Sequence, residues 1–438
     1  MTHTVMTFVT RVKPDKVAEL AALLDTIGGD PENNVYVPFR KLKLLHFASL
    51  VLHDSQKEYG YGPYLVFENN FDGPLEPYLE DLYAQTRNGL HRIYSCCEDY
   101  AVTNVADRQA LLDFLKAHVV RPNAYHVGNT GRSAERILQE QRLRDALETS
   151  ADSLVQDGVR RSPQELCESL KSFVRSNPEF AKMPAVGPRQ TFLERFLPWV
   201  NVALIALIAA LILFNAVTLA RKGSPWVLIG LVVLAGAYLI WLRFKESTDS
   251  VKVDAANPTN LGKLVKREDL GHNVQNHMAS ITIVKPGWLR RATLWAVLWA
   301  VNLLARAQAT HGTLSGIPSI HFAHWSMIDG GRRLLFLSNF DGSWENYLDD
   351  FIDKAHWGLT GVWSNTVGFP RTQFLVGGGA MDGPRFKAVA RDAQTVTNAW
   401  YSAYRDLTVQ GIDKSSSIRE YLSEPTSTQS PEAWLQLL

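Results

Sequence analysis

Histidine and aspartate recur together twice in this sequence, and that pairing is where chemistry would be sought first. His46 precedes the block Asn70-Phe71-Asp72-Gly73, and His321 precedes Asn339-Phe340-Asp341-Gly342. An imidazole beside a carboxylate can act as a general base, hold a metal or serve as a haem ligand. Strand register is what would bring the two types together. With Asp329-Gly330-Gly331-Arg332 read as a two-residue hairpin, Asp329 opposes Arg332 and His321 falls opposite Phe340, beside Asn339 and Asp341. His46 is placed in the same way near Asn70 and Asp72. The catalytic candidates are therefore His46, Asp72, His321 and Asp341, and His356, near a helix end, is the candidate cofactor ligand. The competing reading is structural: aspartate caps the helix that follows, glycine makes the turn, and histidine bonds the capped loop. Retention of the block in both places favours that second reading, since a single active site would let the other copy drift.

The elements that must position these residues are themselves repeated. From Leu65/Leu334 to Ser95/Ser364 the sequence matches itself at a constant offset of 269, with 13 identities in 31 positions. Val12-Lys13-Pro14 pairs with Val284-Lys285-Pro286, His46-Phe47-Ala48 with His321-Phe322-Ala323, and Tyr125-His126-Val127-Gly128 with Phe374-Leu375-Val376-Gly377. Self-similarity of this length implies two copies of one unit. In the second copy, strands are expected at 280–284, 319–328, 333–338 and 372–376, with helices to about 309, from 343 to about 357, and from 385 to 404. The order β-α-β-β-α-β with an added helix is the ferredoxin-like split βαβ pattern. The first copy follows it, with a closing helix over 132–152. Tyr78 and Tyr347 fall at helical core spacing with Leu79 and Leu348.

Between the copies lie two uncharged stretches, 198–220 and 225–242, joined by Arg221-Lys222-Gly223-Ser224. At about 1.5 Å per residue each can cross a hydrocarbon core of about 30 Å. Trp199, Trp226 and Trp241 mark their ends, as interfacial rings do. The short loop makes a hairpin and leaves both soluble halves on one side. Arg189, Arg195, Arg243, Lys245 and Lys252 on that side, against Arg221 and Lys222 in the loop, favour a cytoplasmic location. A third apolar run, 292–305, is too short to span and is bracketed by Arg290, Arg291 and Arg306, with Trp288, Trp295 and Trp299 along it. An interfacial helix over 288–306, touching lipid or another hydrophobic partner, is expected there, the alternative being a helix buried between domains. The expected divisions are a first repeat at 1–152, a linker at 153–196, the hairpin at 197–243, a linker at 244–276, a second repeat at 277–410 and a loosely ordered tail at 411–438.

Composition excludes more than it assigns. The formal charge is +1, and no basic run of five exists, so nucleic acid is not a principal partner. Three cysteines, Cys96, Cys97 and Cys167, give neither a disulfide framework nor zinc spacing. No signal peptide is expected at the N-terminus. Gly377-Gly378-Gly379 is not a phosphate loop, and no nucleophile elbow, zincin helix or kinase signature occurs.

Two ferredoxin-like units in one chain resemble the dimeric α+β barrel superfamily, in which two antiparallel sheets face each other. Dye-decolorising peroxidases and chlorite dismutases are its haem-bearing members. The peroxidases carry a Gly-x-x-Asp-Gly motif with a distal aspartate; here Asn69 and Ser338 stand where its leading glycine would be, before Asp72 and Asp341. The resemblance implies an α+β fold of tandem ferredoxin-like repeats, a pseudo-dimeric barrel carrying an inserted transmembrane hairpin. The duplication, the hairpin anchor and the Trp-rich helix at 288–306 point to a hydrophobic small molecule bound between the sheets, and the resemblance implies a haem- or peroxide-dependent oxidoreductase if the chain is an enzyme. The alternative is a non-catalytic membrane scaffold or assembly factor.

Overall fold

The computed structural model describes residues 2–183, 192–251, 258–268, 274–308, 314, 316–423 and 430–438. In chain order its first half holds β1 (His3–Arg11), α1 (Val17–Gly29), β2 (Leu45–His53), β3 (Tyr64–Asp72), α2 (Leu75–Tyr94), α3 (Arg108–Ala117), β4 (Val119–Val120), β5 (Ala124–Val127), α4 (Ala134–Gln156) and α5 (Pro163–Ser176). The apolar pair α6 (Phe192–Arg221) and α7 (Trp226–Thr248) follows, then α8 (Pro258–Glu268). The second half holds β6 (Gln275–Ile283), α9 (Trp288–Gln308), β7 (Ile320–Ile328), β8 (Arg333–Asp341), α10 (Trp344–Trp363), β9 (Thr372–Gln373), β10 (Gly377–Gly378), α11 (Gly383–Ala393), β11 (Gln394–Thr395), β12 (Ala399–Ser402), α12 (Val409–Ser423) and α13 (Pro431–Leu435).

The strands form two five-stranded antiparallel sheets, ordered β12-β2-β3-β1-β4 and β11-β6-β8-β7-β5. Period-two alternation gives each sheet two buried faces. In β3, Leu65, Phe67 and Phe71 pack with Leu20, Leu24, Tyr78 and Leu112 of the covering helices. The intervening Val66 points the other way and meets Ala279, Ile281, Leu335 and Leu337 of the second sheet. Phe47, Phe322, Trp400 and Tyr404 fill another part of this layer. Tyr78 and Tyr347 do belong to the core, stacked on Phe71 and Phe340 at 3.8 and 3.9 Å.

Each half sends a strand to the far sheet. β4 closes the first sheet against β1, and only three residues later β5 pairs with β7 of the second. β11 likewise closes on β6 before β12 crosses to β2. The strand expected at 372–376, and its match to 125–128, is therefore corrected. Thr372–Gln373 forms a short hairpin with Gly377–Gly378 across a three-residue loop, and the counterpart of Asn123-Ala124-Tyr125 is Asn398-Ala399-Trp400. The helix expected over 385–404 ends at Ala393, and the closing helix is α12.

Other expected boundaries also move. The linker at 153–196 contains α5, whose start carries a Ser162/Glu165 capping box. The linker at 244–276 contains the end of α7, all of α8 and the start of β6. In the tail, Ser415, Ser416 and Ile418 are buried, and Trp434 packs on Tyr421 at 4.9 Å. Arg189, Lys252, Gly312 and the Pro425-Thr426-Ser427 stretch lie outside the described residues. The hairpin at 329–332 has a four-residue loop: Ile328 opposes Arg333, so the expected pairing of Asp329 with Arg332 does not form.

Trp199–Arg221 and Trp226–Thr248 are long and apolar enough to cross a membrane, with 6 % of each apolar window buried. The end of α7 is clamped to the second half. Glu246 is 1 % exposed and accepts hydrogen bonds from Thr372 Oγ1 (3.0 Å) and the backbone N–H groups of Phe374 (2.9 Å) and Leu375 (2.8 Å). Phe374 and Leu375 hold left-handed backbones, with φ of 51° and 64°, which side chains of this size rarely adopt. Asp249 then accepts from Lys285 Nζ (2.7 Å) and Arg290 Nη2 (2.6 Å). Tyr238 of α7 meets Thr293 of α9 at 3.1 Å. On α9, Leu294 and Leu298 are buried, while Trp288, Trp295 and Trp299 are 71, 56 and 44 % exposed.

Candidate functional site

The structure brings His46 to Asp72 and His321 to Asp341 through a device the register argument did not contain. The β2–β3 register shifts between Leu45 and Phe47, and the β7–β8 register between Ile320 and Phe322. Each histidine is the extra residue of a β-bulge, which re-aims a side chain at a sheet end. Ile320, not His321, opposes Phe340. His46 Nε2 lies 3.0 Å from Asp72 Oδ1, and His321 Nε2 lies 2.7 Å from Asp341 Oδ1.

The second oxygen of each carboxylate goes somewhere unexpected. Asp72 Oδ2 accepts from the backbone N–H of Ala134 (3.0 Å), the first residue of α4; Asp341 Oδ2 accepts from Val409 (2.8 Å), the first of α12. The expectation that the aspartates cap the helices directly after them is corrected. Ser343 caps α10, and α2, preceded by Pro74, has no side-chain cap. Each aspartate instead pins the helix that follows a crossed strand, where the helix dipole favours an anion.

Around Asp72 the hydrogen-bond roles follow from chemistry. The carboxylate can only accept, so His46 Nε2 carries a proton, and Nδ1 accepts from Tyr404 Oη at 2.8 Å. His3 Nε2 accepts from Gly131 N–H (2.8 Å), which places its proton on Nδ1, 3.2 Å from Asp72 Oδ1. Burial, together with the His3 and His321 charges, lowers the His46 pKa despite Asp72, which raises it. Burial opposes ionisation of Asp72, but hydrogen bonds from His3, His46 and Ala134 hold its carboxyl below the usual carboxylate range. His3, His46 and Asp72 also present ligand atoms within 4.8 Å of one another, the spacing of a metal site. The tautomer argues against one. His3 Nδ1 carries the ring proton, and both oxygens of Asp72 are engaged.

Haem fits no better. His46 and His321 are each 1 % exposed, with Phe47, Phe322 and Tyr404 rings packed at centroid distances of 5.1 to 5.9 Å. Among the described residues, no open face for a macrocycle remains beside either ring. His356 sits apart, half-buried in α10 just after a kink at Ala355.

Sequence reasoning missed a second polar centre, in the layer between the sheets. Glu68 of β3 is fully buried. Its Oε2 accepts from Ser49 Oγ (3.0 Å) and His277 Nε2 (3.0 Å), its Oε1 from Asn70 Nδ2 (2.9 Å) and Asn339 Nδ2 (3.1 Å). Burial would push this carboxyl up, yet His277, the His324 imidazole and Asn70 together hold it at about 2. His324, 3.7 Å from Oε1, is pushed down to about 4 by burial. His277 Nδ1 meets Thr397 Oγ1 at 2.8 Å, and both residues line a cleft of about 210 Å³. That cleft is bounded by the end of α1, by α8 and by Trp400 and Arg405. Beside it, a groove of about 1000 Å³ runs along α4 past Tyr404, with Arg40, Lys43, Glu135 and Asp145 on its walls. The available signal was asymmetry: Glu68, Ser49 and Val5 align with Leu337, His324 and His277, so the centre exists once where its surroundings repeat.

No protein-family model, curated protein or solved structure matches this chain.

Proposed function

We propose that this chain is a membrane-anchored, non-catalytic scaffold built from tandem ferredoxin-like repeats, paired as a pseudo-dimeric α+β barrel, with its soluble parts on the cytoplasmic side. The observation that carries the reading is the pair of latches, His46–Asp72 to α4 and His321–Asp341 to α12. Groups present in equivalent places, buried and bonded to helix starts, serve architecture in both halves. The filled layer between the sheets supports a scaffold over a container for a hydrophobic ligand. On the other face of the second sheet, under α10 and α11, the apolar space lined by Met278, Phe336 and Trp363 holds only about 20 Å³.

The bilayer contact extends beyond the two spans in this reading. Thr293 touches Tyr238, five residues before Arg243, or about 7.5 Å along the α7 axis. Amphipathic interfacial helices lie about 5–10 Å into the headgroup boundary. The exposed tryptophans of α9 would occupy that depth. The test is purified protein in nanodiscs. A preparation without a Soret band, whose tryptophan fluorescence is quenched by brominated lipid and loses much of that quenching in Trp295→Glu/Trp299→Glu, fits the proposal. A Soret band lost in His321→Ala would overturn the scaffold reading. Quenching unchanged in the double variant would overturn the α9 contact.

A further inference from the structure

The 210 Å³ cleft holds two arginines. Arg267 of α8 and Arg405, just after β12, both line it, and among the described residues neither has a carboxylate within ion-pair distance. Arg267 donates to the backbone carbonyl of Asn398 at 3.0 Å, leaving its other N–H groups for the cleft. Burial and the neighbouring Arg405 charge both lower its pKa, against a raising influence from Asp25. The acid in the cleft, Glu268, is taken by Arg391 in a two-pronged pair at 2.5 and 2.8 Å. Arg405 lies over Trp400, its guanidinium 5.7 Å from the ring centroid. Two like charges sharing a partly buried cleft repel, and a counter-anion removes the cost.

On the floor, Thr397 Oγ1 donates to His277 Nδ1, and His277 Nε2 donates to Glu68, so the donors facing an anion are those of the arginines. The position matching His277 in the first half is Val5, and the one matching Arg405 is Thr130, while α8 comes from the segment between the repeats. This cleft is thus a feature of one half only.

We propose that the cleft binds a small anion bearing a carboxylate or phosphate group, clasped by Arg267 and Arg405. Guanidinium groups suit both anions, because their forked N–H donors match paired oxygens. The volume lies below the usual range of about 300–1,000 Å³ for drug-sized ligands, which limits the occupant to a small metabolite-sized anion.

Isothermal titration of the full-length protein in detergent, at constant ionic strength, with inorganic phosphate in one arm and citrate in the other, tests this. Saturable binding in either arm is expected, and the stronger arm assigns the anion class. Arg405→Glu and Arg267→Gln should each weaken it at least tenfold, with unchanged circular dichroism. Lys43→Glu, in the adjoining groove, should leave it within twofold. No saturable binding in both arms overturns the proposal. So does an equal loss in Lys43→Glu and Arg405→Glu, which would mean diffuse electrostatics rather than a clasp.

Discussion

Asp72 gives one carboxylate oxygen to an imidazole and the other to a helix start 62 residues further on. Removing it would cost a cap and leave the buried N–H donor of His46 unpaired. Caps contribute about 0.5–2 kcal/mol, and an orphaned buried donor costs about 1–3 kcal/mol. Asp72→Ala should therefore lower stability by about 2–4 kcal/mol, and Asp341→Ala by a similar amount, read as a drop in thermal midpoint. A midpoint unchanged in both variants would show that the latches carry no weight. Buried neutral histidines set a second expectation. Burial pushes His126 and His324 down to about 4, and burial together with the Arg333 and His277 charges pushes His53 to about 3. Their folded values lie below the unfolded value of about 6.5, so the unfolded chain takes up protons first as pH falls. Their stabilising contribution is complete above pH 6.5 and fades as pH drops toward 4. For His324 alone the shift corresponds to about 3 kcal/mol. The midpoint should fall between pH 6.5 and 4.5, with a shallower fall in His324→Gln; a flat profile contradicts it. The residue pairings were legible because Asn-Phe-Asp-Gly occurs twice. The bulges that deliver them were not, since an extra residue in a strand has no compositional mark yet shifts every partner beyond it.

At the scale of elements, the crossing strands hold the two sheets together. Asn123 Oδ1 accepts from Met327 N–H (2.7 Å) where β5 joins the second sheet, and Asn398 Oδ1 from Leu52 N–H (2.9 Å) where β12 joins the first. Gly128 ends the β5 crossing so tightly that a Cβ there would stand 2.3 Å from the Ile320 carbonyl oxygen. Gly128→Ala should push β5 off β7 and destabilise by about 1–3 kcal/mol, the range for forced overpacking. Hydrogen exchange should then speed up at Ala124–Val127; protection equal to wild type would refute this. The long strands and α2 and α10 could be read from alternation and helical spacing. A four-residue strand such as β12 could not, because its partner lies in another half and leaves no local trace. The offset did leave one: Asn123/Asn398 share 275 with His46/His321. α5, α8 and α12 were hidden by polar composition. Their stability comes from one packed face, such as Cys167 and Leu170 of α5 against Tyr421 and Trp434.

For the whole molecule, the two apolar helices were legible from length and charge alone, but their attachment was not. Glu246 sits where a sequence reader sees only the charged end of a span. In the structure it holds the 372–375 turn in a conformation that costs about 1–3 kcal/mol per strained residue. Glu246→Ala should release that turn, giving faster proteolysis near Phe374 while the sheets stay folded. Unchanged cleavage would show that the turn holds itself. The clamp also has a geometric consequence. A span joined to its body by a loose linker lets that body swivel freely, whereas α7 enters the second half through Glu246, Asp249 and Tyr238 as one rigid stem. Whatever plane the stem crosses, the body meets it at a fixed bearing, with the same flank always turned down and the anion cleft always at the same compass point.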